Sequence, residues 1–105
     1  MVTKVYRYQL ASGVWDDFLQ LQKKADGIYS KHLAYDIVFI RDASCPMRIA
    51  EIHSYKNVET AQKAAHLHEI EPELRELFEK FRNLLAPESQ QIDELIGEAV
   101  RVRDQ

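Results

Sequence analysis

Hydrophobic and polar positions alternate over the first residues of the chain and then change to a helical spacing. Residues 2–10 place Tyr6 and Tyr8 on one side of the chain, which is the period of a β-strand. From residue 14 onward the apolar positions recur at steps of four and three: Val14, Phe18, Leu21, Ala25 and Ile28. This stripe predicts an amphipathic helix that is capped near Ser12 and ends at Gly27.

Two further strands are predicted in the middle of the chain, joined by the turn-rich connector 42–46. The second strand, residues 35–41, has apolar residues on both faces: Tyr35, Ile37 and Phe39 on one, Val38 and Ile40 on the other. The third strand, residues 47–55, presents Ile49, Glu51, His53 and Tyr55 on a single face.

Helical spacing returns after the third strand. Asn57 is the expected N-cap of a helix that Pro72 interrupts, and a new helix with a long apolar stripe then runs until Pro87 stops it. Residues 89–96 are expected to form one more short helix. Residues 98–103 are expected to form the last strand, with two valines facing inward.

The element order, strand-helix-strand-strand-helix-strand, is that of an α+β, ferredoxin-like βαββαβ fold with a four-stranded antiparallel sheet. We expect one domain over residues 1–105. The face that carries Tyr6, Tyr8, Ile37 and Phe39 is too apolar to lie in water, since each buried side chain contributes about 1.5–3 kcal/mol. A second copy is therefore predicted to cover it, giving a homodimer with two sheets packed face to face as a dimeric α/β barrel.

Composition narrows the class of protein. The chain has 105 residues, is 46% hydrophobic and 30% charged, and has a formal net charge of −3. That balance fits a soluble domain and disfavours a nucleic-acid partner, which would call for a basic surface. No signal peptide and no apolar run long enough to cross a membrane is visible, and Cys45 is the single cysteine. A cytoplasmic location is expected.

The stretch Glu51-Ile52-His53-Ser54-Tyr55-Lys56-Asn57-Val58-Glu59-Thr60-Ala61, followed by His66 and His68, resembles the dimeric α/β-barrel superfamily. In particular it resembles domains of the antibiotic-biosynthesis-monooxygenase type. The positions that carry the resemblance are an acidic residue on the third strand, an aromatic residue near its end, and an alanine and a histidine on the following helix: Glu51, Tyr55, Ala61 and His66, with His68 as an alternative. The resemblance implies a barrel interior that holds a small aromatic molecule, and oxidation of phenolic or quinol-like compounds by dioxygen without metal or flavin. Haem degradation, the activity of other members, is disfavoured because the first strand has Gln9 and no asparagine.

Glu51 and His53 are the candidates for chemistry. Two positions apart on a strand, they leave the same face about 7 Å from each other. His53 is the candidate general base towards a bound phenol, and Glu51 the residue that orients it. The alternative is structural: Glu51 pairs with Arg7, Arg48 or a cation of the partner chain, and His53 is an interior histidine with satisfied hydrogen bonds.

His66 is the third catalytic candidate, on the resemblance. The candidates for ligand binding are aromatic or apolar, with one histidine: Tyr6, Tyr8, Tyr35, Ile37, Phe39, Tyr55, His68 and Trp15. We expect a cavity bounded by Tyr6, Ile37, Glu51 and His53. His66 and His68 point about 200° apart on a helix, so no metal site is predicted, and no cofactor is expected.

Two functions remain open from the sequence. The first is a cofactor-independent monooxygenase that acts on a small aromatic compound. The second is a non-catalytic ligand-binding or oligomerisation domain on the same fold. An RNA-recognition domain shares the element order but is excluded, because residues 47–53 lack its basic, glycine and aromatic signature.

Overall fold

A computed structural model of the protein describes residues 1–103. The elements are β1 (Val2–Gln9), α1 (Trp15–His32), β2 (Asp36–Arg41), β3 (Arg48–Tyr55), α2 (Val58–His66), α3 (Pro72–Asn83) and β4 (Asp93–Glu98). The strands form one antiparallel sheet in the order β2-β3-β1-β4. The predicted ferredoxin-like α+β fold is confirmed.

Several element boundaries follow from local chemistry. The side chain of Asn57 accepts a hydrogen bond of 2.8 Å from the backbone N–H of Thr60 and so caps α2 as predicted. Pro72 begins α3. Gly13 has a φ of +82°, a conformation that favours glycine, in the turn between β1 and α1.

The first helix is longer than predicted. It begins at Trp15 without a side-chain cap from Ser12 and continues beyond Gly27 to His32. Gly27 lies on the exposed side, whereas the next residue, Ile28, is buried in the core. Burial of the apolar stripe outweighs the modest preference of one glycine for a helix end.

The prediction for the last part of the chain was wrong. Residues 93–98 form a strand where a helix was expected, and Val100 and Val102, expected to face inward, are exposed beyond it. β4 pairs along β1, with Leu95 opposite Val5. The pair Leu95-Ile96 is too short to distinguish a helix from a strand by spacing, and the unpaired backbone groups of β1 favour a strand partner.

The helices pack on the face of the sheet that carries Tyr6, Tyr8, Glu51 and His53, which was expected to meet a second sheet. That expectation was wrong about the face. The core between sheet and helices has its largest fully buried side chains at Phe18, Leu10, Leu67 and Leu74. Both faces of β2 are apolar, so the alternation of residues could not show which face the helices would cover.

The opposite side of the sheet, which we call the uncovered face, has no helix packed on it within residues 1–103. The strand register aligns one apolar residue from each strand into a row across it: Val38, Ile52, Val5 and Leu95. Val38 is 48% exposed and Leu95 68% exposed. No helix among the described residues is long and apolar enough to cross a membrane.

Candidate functional site

The strand register brings the two predicted catalytic residues of β3 next to aromatic and apolar residues of its neighbours. Tyr6 on β1 lies opposite Glu51, and Ile37 on β2 lies opposite His53. Because paired residues in an antiparallel sheet point to the same face, all four side chains project towards the helices.

A cavity of about 270 Å³ lies above these side chains, between the sheet and the helices α1 and α3. Its floor includes the four residues predicted to bound it: Tyr6, Ile37, Glu51 and His53. Its roof comes from both helices: Leu21, Ala25 and Tyr29 of α1, and Phe78 and Phe81 of α3. The lining is thus mostly apolar and aromatic, with Glu51 and His53 as a polar pair in the floor, which is the usual composition of a small-molecule site.

A chain of hydrogen bonds connects four side chains on this face of the sheet. The Tyr8 hydroxyl donates to Oε1 of Glu51 at 2.6 Å, and Oε2 of Glu51 lies 2.5 Å from Nε2 of His53. On the other side of the ring, Nδ1 of His53 lies 2.9 Å from the Tyr55 hydroxyl. The side chains of Glu51 and His53 are only 12% and 13% exposed. Little water therefore competes for these bonds.

The pairing fixes the roles of the two nitrogens when the His53 ring is neutral. A carboxylate oxygen only accepts hydrogen bonds, so Nε2 of His53 carries the hydrogen and donates it to Glu51. Nδ1 is then the acceptor, and the Tyr55 hydroxyl donates to it. Nδ1 is thus the ring nitrogen that can accept a hydrogen bond, and the bond to Glu51 fixes the orientation of the ring.

The structure tests two of the partners that were considered for Glu51, Arg7 and Arg48. Arg7 and Arg48 project from the uncovered face, and Arg7 pairs there with Asp93. Glu51 instead accepts hydrogen bonds from Tyr8 and His53. The expected pairing of Glu51 with either arginine was therefore wrong, since these side chains lie on opposite sides of the sheet.

Aromatic rings surround the imidazole of His53. The Tyr6 ring lies edge-on to it at 5.4 Å, and the Tyr35 ring lies at 6.2 Å. Tyr35 also stacks on Tyr55 at 6.0 Å and donates a hydrogen bond of 2.6 Å to Asp26. These rings form a wall that is complementary to a flat aromatic ligand.

Burial raises the pKa of every tyrosine near the site. The pKa of Tyr29 rises to about 12, with the charge of Glu51 as a second cause. The same dominant cause raises the pKa values well above 10 in four other residues: Tyr6, Tyr8, Tyr35 and Tyr55. These hydroxyls remain neutral at physiological pH, so they act as hydrogen-bond donors rather than as bases.

The remaining predicted residues lie at different distances from the cavity. Tyr55 and His68 line a second cavity, described below, that adjoins the first. Phe39 and Trp15 pack around Phe18 in the core, where Phe39 lies edge-on and Trp15 is stacked. His66 is exposed, pairs with Glu69 at 3.2 Å and lines neither cavity.

Several cavity residues were not predicted as site residues from the sequence, and three of them are important for the site. Tyr29 of α1 and Phe78 of α3 line both cavities, and Lys4 of β1 lines the second. The spacing of these residues along their helix or strand indicates that they are buried, but not that they belong to a site. They reach the site through contacts between α1, α3 and the sheet, which join parts of the chain that are far apart in sequence. A lysine on the inward side of a predicted strand was the one cue available.

No sequence model of a protein family matches this chain, and no curated protein matches it in sequence. Solved structures match it in fold. SnoaB, a cofactor-independent oxygenase from Streptomyces nogalater, has a TM-score of 0.76 and 11% identity, over 99% of this chain and 97% of that one. A NIPSNAP family protein with unknown function from Agrobacterium tumefaciens has a TM-score of 0.72 and 17% identity, over 99% and 92% of the two chains. An antibiotic biosynthesis monooxygenase has a TM-score of 0.71 and 14% identity, over 96% and 100%. The chain therefore has the fold of antibiotic-biosynthesis-monooxygenase domains, as its resemblance implied.

Proposed function

We propose that this protein is a cofactor-independent monooxygenase that acts on a small phenolic or quinol-like compound bound between the sheet and the helices. The observation that carries the proposal is the partly buried Glu51–His53 pair in the floor of a cavity walled by aromatic rings. The fold shared with SnoaB and with an antibiotic biosynthesis monooxygenase supports it.

The cavity's residues supply a base and an enclosed environment. A substrate hydroxyl that replaces Tyr55 at Nδ1 of His53 gives its proton to that nitrogen, and Glu51 stabilises the imidazolium that forms. The electron-rich phenolate then transfers one electron to dioxygen, and the substrate radical and superoxide combine into a peroxide at the activated ring carbon. The His53 imidazolium returns its proton to this peroxide, and the resulting hydroperoxide loses water to leave a carbonyl, so that R₂CH₂ and O₂ give R₂C=O and H₂O.

Anthrone is a suitable probe because its enol is phenolic and its activated methylene carbon becomes the carbonyl of anthraquinone. With ¹⁸O₂ we expect one labelled oxygen in the quinone and the other in water, measured by mass spectrometry, together with catalysed oxygen uptake. His53→Gln should lower the catalysed rate about 10²–10⁴-fold, the usual contribution of a general base.

His66→Gln is the matched comparison, since this histidine is exposed and lies outside both cavities. We expect it to keep the rate of the unmodified protein. If the catalysed rate follows His66 instead of His53, the assignment of the base is wrong. If the protein gives no uptake above the spontaneous rate, the monooxygenase proposal is refuted.

One observation favours the second candidate, a non-catalytic ligand-binding domain. Both ring nitrogens of His53 already have hydrogen-bond partners, Glu51 and Tyr55. A domain that merely stores or carries an aromatic compound needs no free base. It would bind anthrone and slow its oxidation, which the same oxygen measurement detects.

We also propose that the protein is a homodimer that pairs through the uncovered face. The row of Val38, Ile52, Val5 and Leu95 crosses the whole sheet, and a second copy would remove it from water. Val38→Glu places a charge at one end of that row, on the edge strand β2, and should give a monomer in sedimentation velocity. Ile70→Glu changes an exposed residue outside the sheet and should leave the dimer intact. A Val38→Glu variant that sediments as a dimer would exclude this face.

A further inference from the structure

Lys4 is a nearly buried cation with little to neutralise it. The residue is 7% exposed, although it is charged and lies on the central strand β1. Its ammonium group makes one long hydrogen bond of 3.5 Å to the carbonyl oxygen of Ala61 and lies 5.3 Å from the centre of the Tyr55 ring. Among residues 1–103 it forms no ion pair with a carboxylate. An ammonium has three donors, so this one has hydrogen-bonding capacity to spare.

Lys4 lines a second cavity, of about 380 Å³, together with Tyr55 and His68. This cavity shares four lining residues with the first one: Tyr6, Tyr29, His53 and Phe78. The two spaces therefore adjoin at the imidazole of His53. A ligand whose ring lies in the first cavity can extend a substituent past His53 into the second.

We propose that the ligand of this site is an aromatic acid whose carboxylate binds the ammonium group of Lys4 while its ring lies in the first cavity. The inference deepens the proposed function and depends on it for the position of the ring. Buried charges in proteins are normally paired, and a ligand carboxylate would form the ion pair that Lys4 does not make within residues 1–103.

The surroundings favour an anion over a neutral group. Burial lowers the pKa of Lys4, and an incoming carboxylate would offset this effect by stabilising the charged amine. Glu94 also faces this cavity and attracts the ammonium, but Glu94 lies on an exposed strand, where water weakens its charge. A charge-assisted hydrogen bond at the enclosed end is the stronger interaction.

The test compares two probes that differ by one carboxylate, 1-hydroxy-2-naphthoate and 1-naphthol, with dissociation constants measured by calorimetry at pH 7. We expect the purified protein to bind the acid about ten times more tightly or better. Lys4→Met should remove that preference and leave the affinity for 1-naphthol within about twofold. Lys24→Met, at an exposed lysine of α1, should keep the preference.

Equal affinities for the two probes in the unmodified protein would overturn the inference, and that measurement needs no variant. A preference that persists in Lys4→Met would overturn it as well. Lys4→Arg keeps the charge and should keep a preference for the acid. The ratio of dissociation constants does not depend on turnover, so a protein that binds the acid through Lys4 but does not oxidise anthrone would refute the monooxygenase alone.

Discussion

The hydrogen bond between Tyr8 and Glu51 predicts a measurable coupling between two residues of the candidate site. Tyr8→Phe removes the hydroxyl and keeps the ring contact with Phe81 at 4.9 Å. Glu51→Gln keeps an oxygen that accepts a hydrogen bond but removes the negative charge. The two single variants and the double variant form a cycle that isolates the charged part of the bond.

The expected size of this coupling free energy follows from the burial of Tyr8 and Glu51. Tyr8 is 5% exposed and the Glu51 side chain 12%, so water does not replace the bond. A hydrogen bond to a charged group contributes about 1.5–3 kcal/mol and a neutral one about 0.5–1.5 kcal/mol. We therefore expect Tyr8→Phe to lower the free energy of unfolding by about 1–1.5 kcal/mol more when Glu51 is present than when glutamine replaces it.

Urea unfolding followed by circular dichroism measures this coupling, at one protein concentration because association would shift the midpoint. A coupling within about 0.5 kcal/mol of zero, the level found for independent sites, would refute the reasoning. As a control, Tyr8→Phe combined with Glu69→Gln should be additive, since Glu69 is exposed and contacts His66.

Three further predictions concern stability. Because all five tyrosines have raised pKa values in the folded state, unfolding releases protons above pH 10, so stability should be full below pH 10 and fall as the pH rises. Absorbance at 295 nm should then rise together with the loss of circular dichroism; a separate titration near pH 10 of the folded protein would contradict this. Asn57→Ala removes the cap of α2 and should cost about 1 kcal/mol in urea unfolding, whereas Asn83→Ala, at the last residue of α3, should cost less; equal losses would argue against the cap. Phe18→Ala should cost about 3–5 kcal/mol in the same assay, because Phe18 is fully buried, and a loss below 1 kcal/mol would place it outside the core.

Strand periodicity was sufficient to bring the polar pair of the site together. Glu51 and His53 are two residues apart on one strand, so their common face needed no knowledge of the rest of the fold. Tyr6 and Tyr8 of β1, and Tyr35 immediately before β2, were assigned to the same cavity from their alternation. The residues that the sequence did not reveal, Tyr29, Phe78 and Lys4, reach the site through packing between distant parts of the chain.

The alternation of residues could not predict which face of the sheet the helices cover. Ile37 and Phe39 are as apolar as Val38 and Ile40, so either face of β2 could have met the helices. In the structure the helices cover the face with Tyr8 and Ile49, which pack with Phe18 in one core cluster. Because the covered face was predicted wrongly, the cavity was expected between two copies of the chain but lies within one. The four residues predicted to bound it lie in its floor.

The position of β1 has a consequence for how the molecule assembles during synthesis. Arg7 on β1 contacts Asp93 on β4, 86 positions later in the sequence. Until β4 is made, one edge of the strand that carries Lys4, Tyr6 and Tyr8 stays open to pairing with other nascent chains. Such distant strand pairing slows folding. We therefore expect the chain to depend on chaperones most strongly until β4 has emerged from the ribosome.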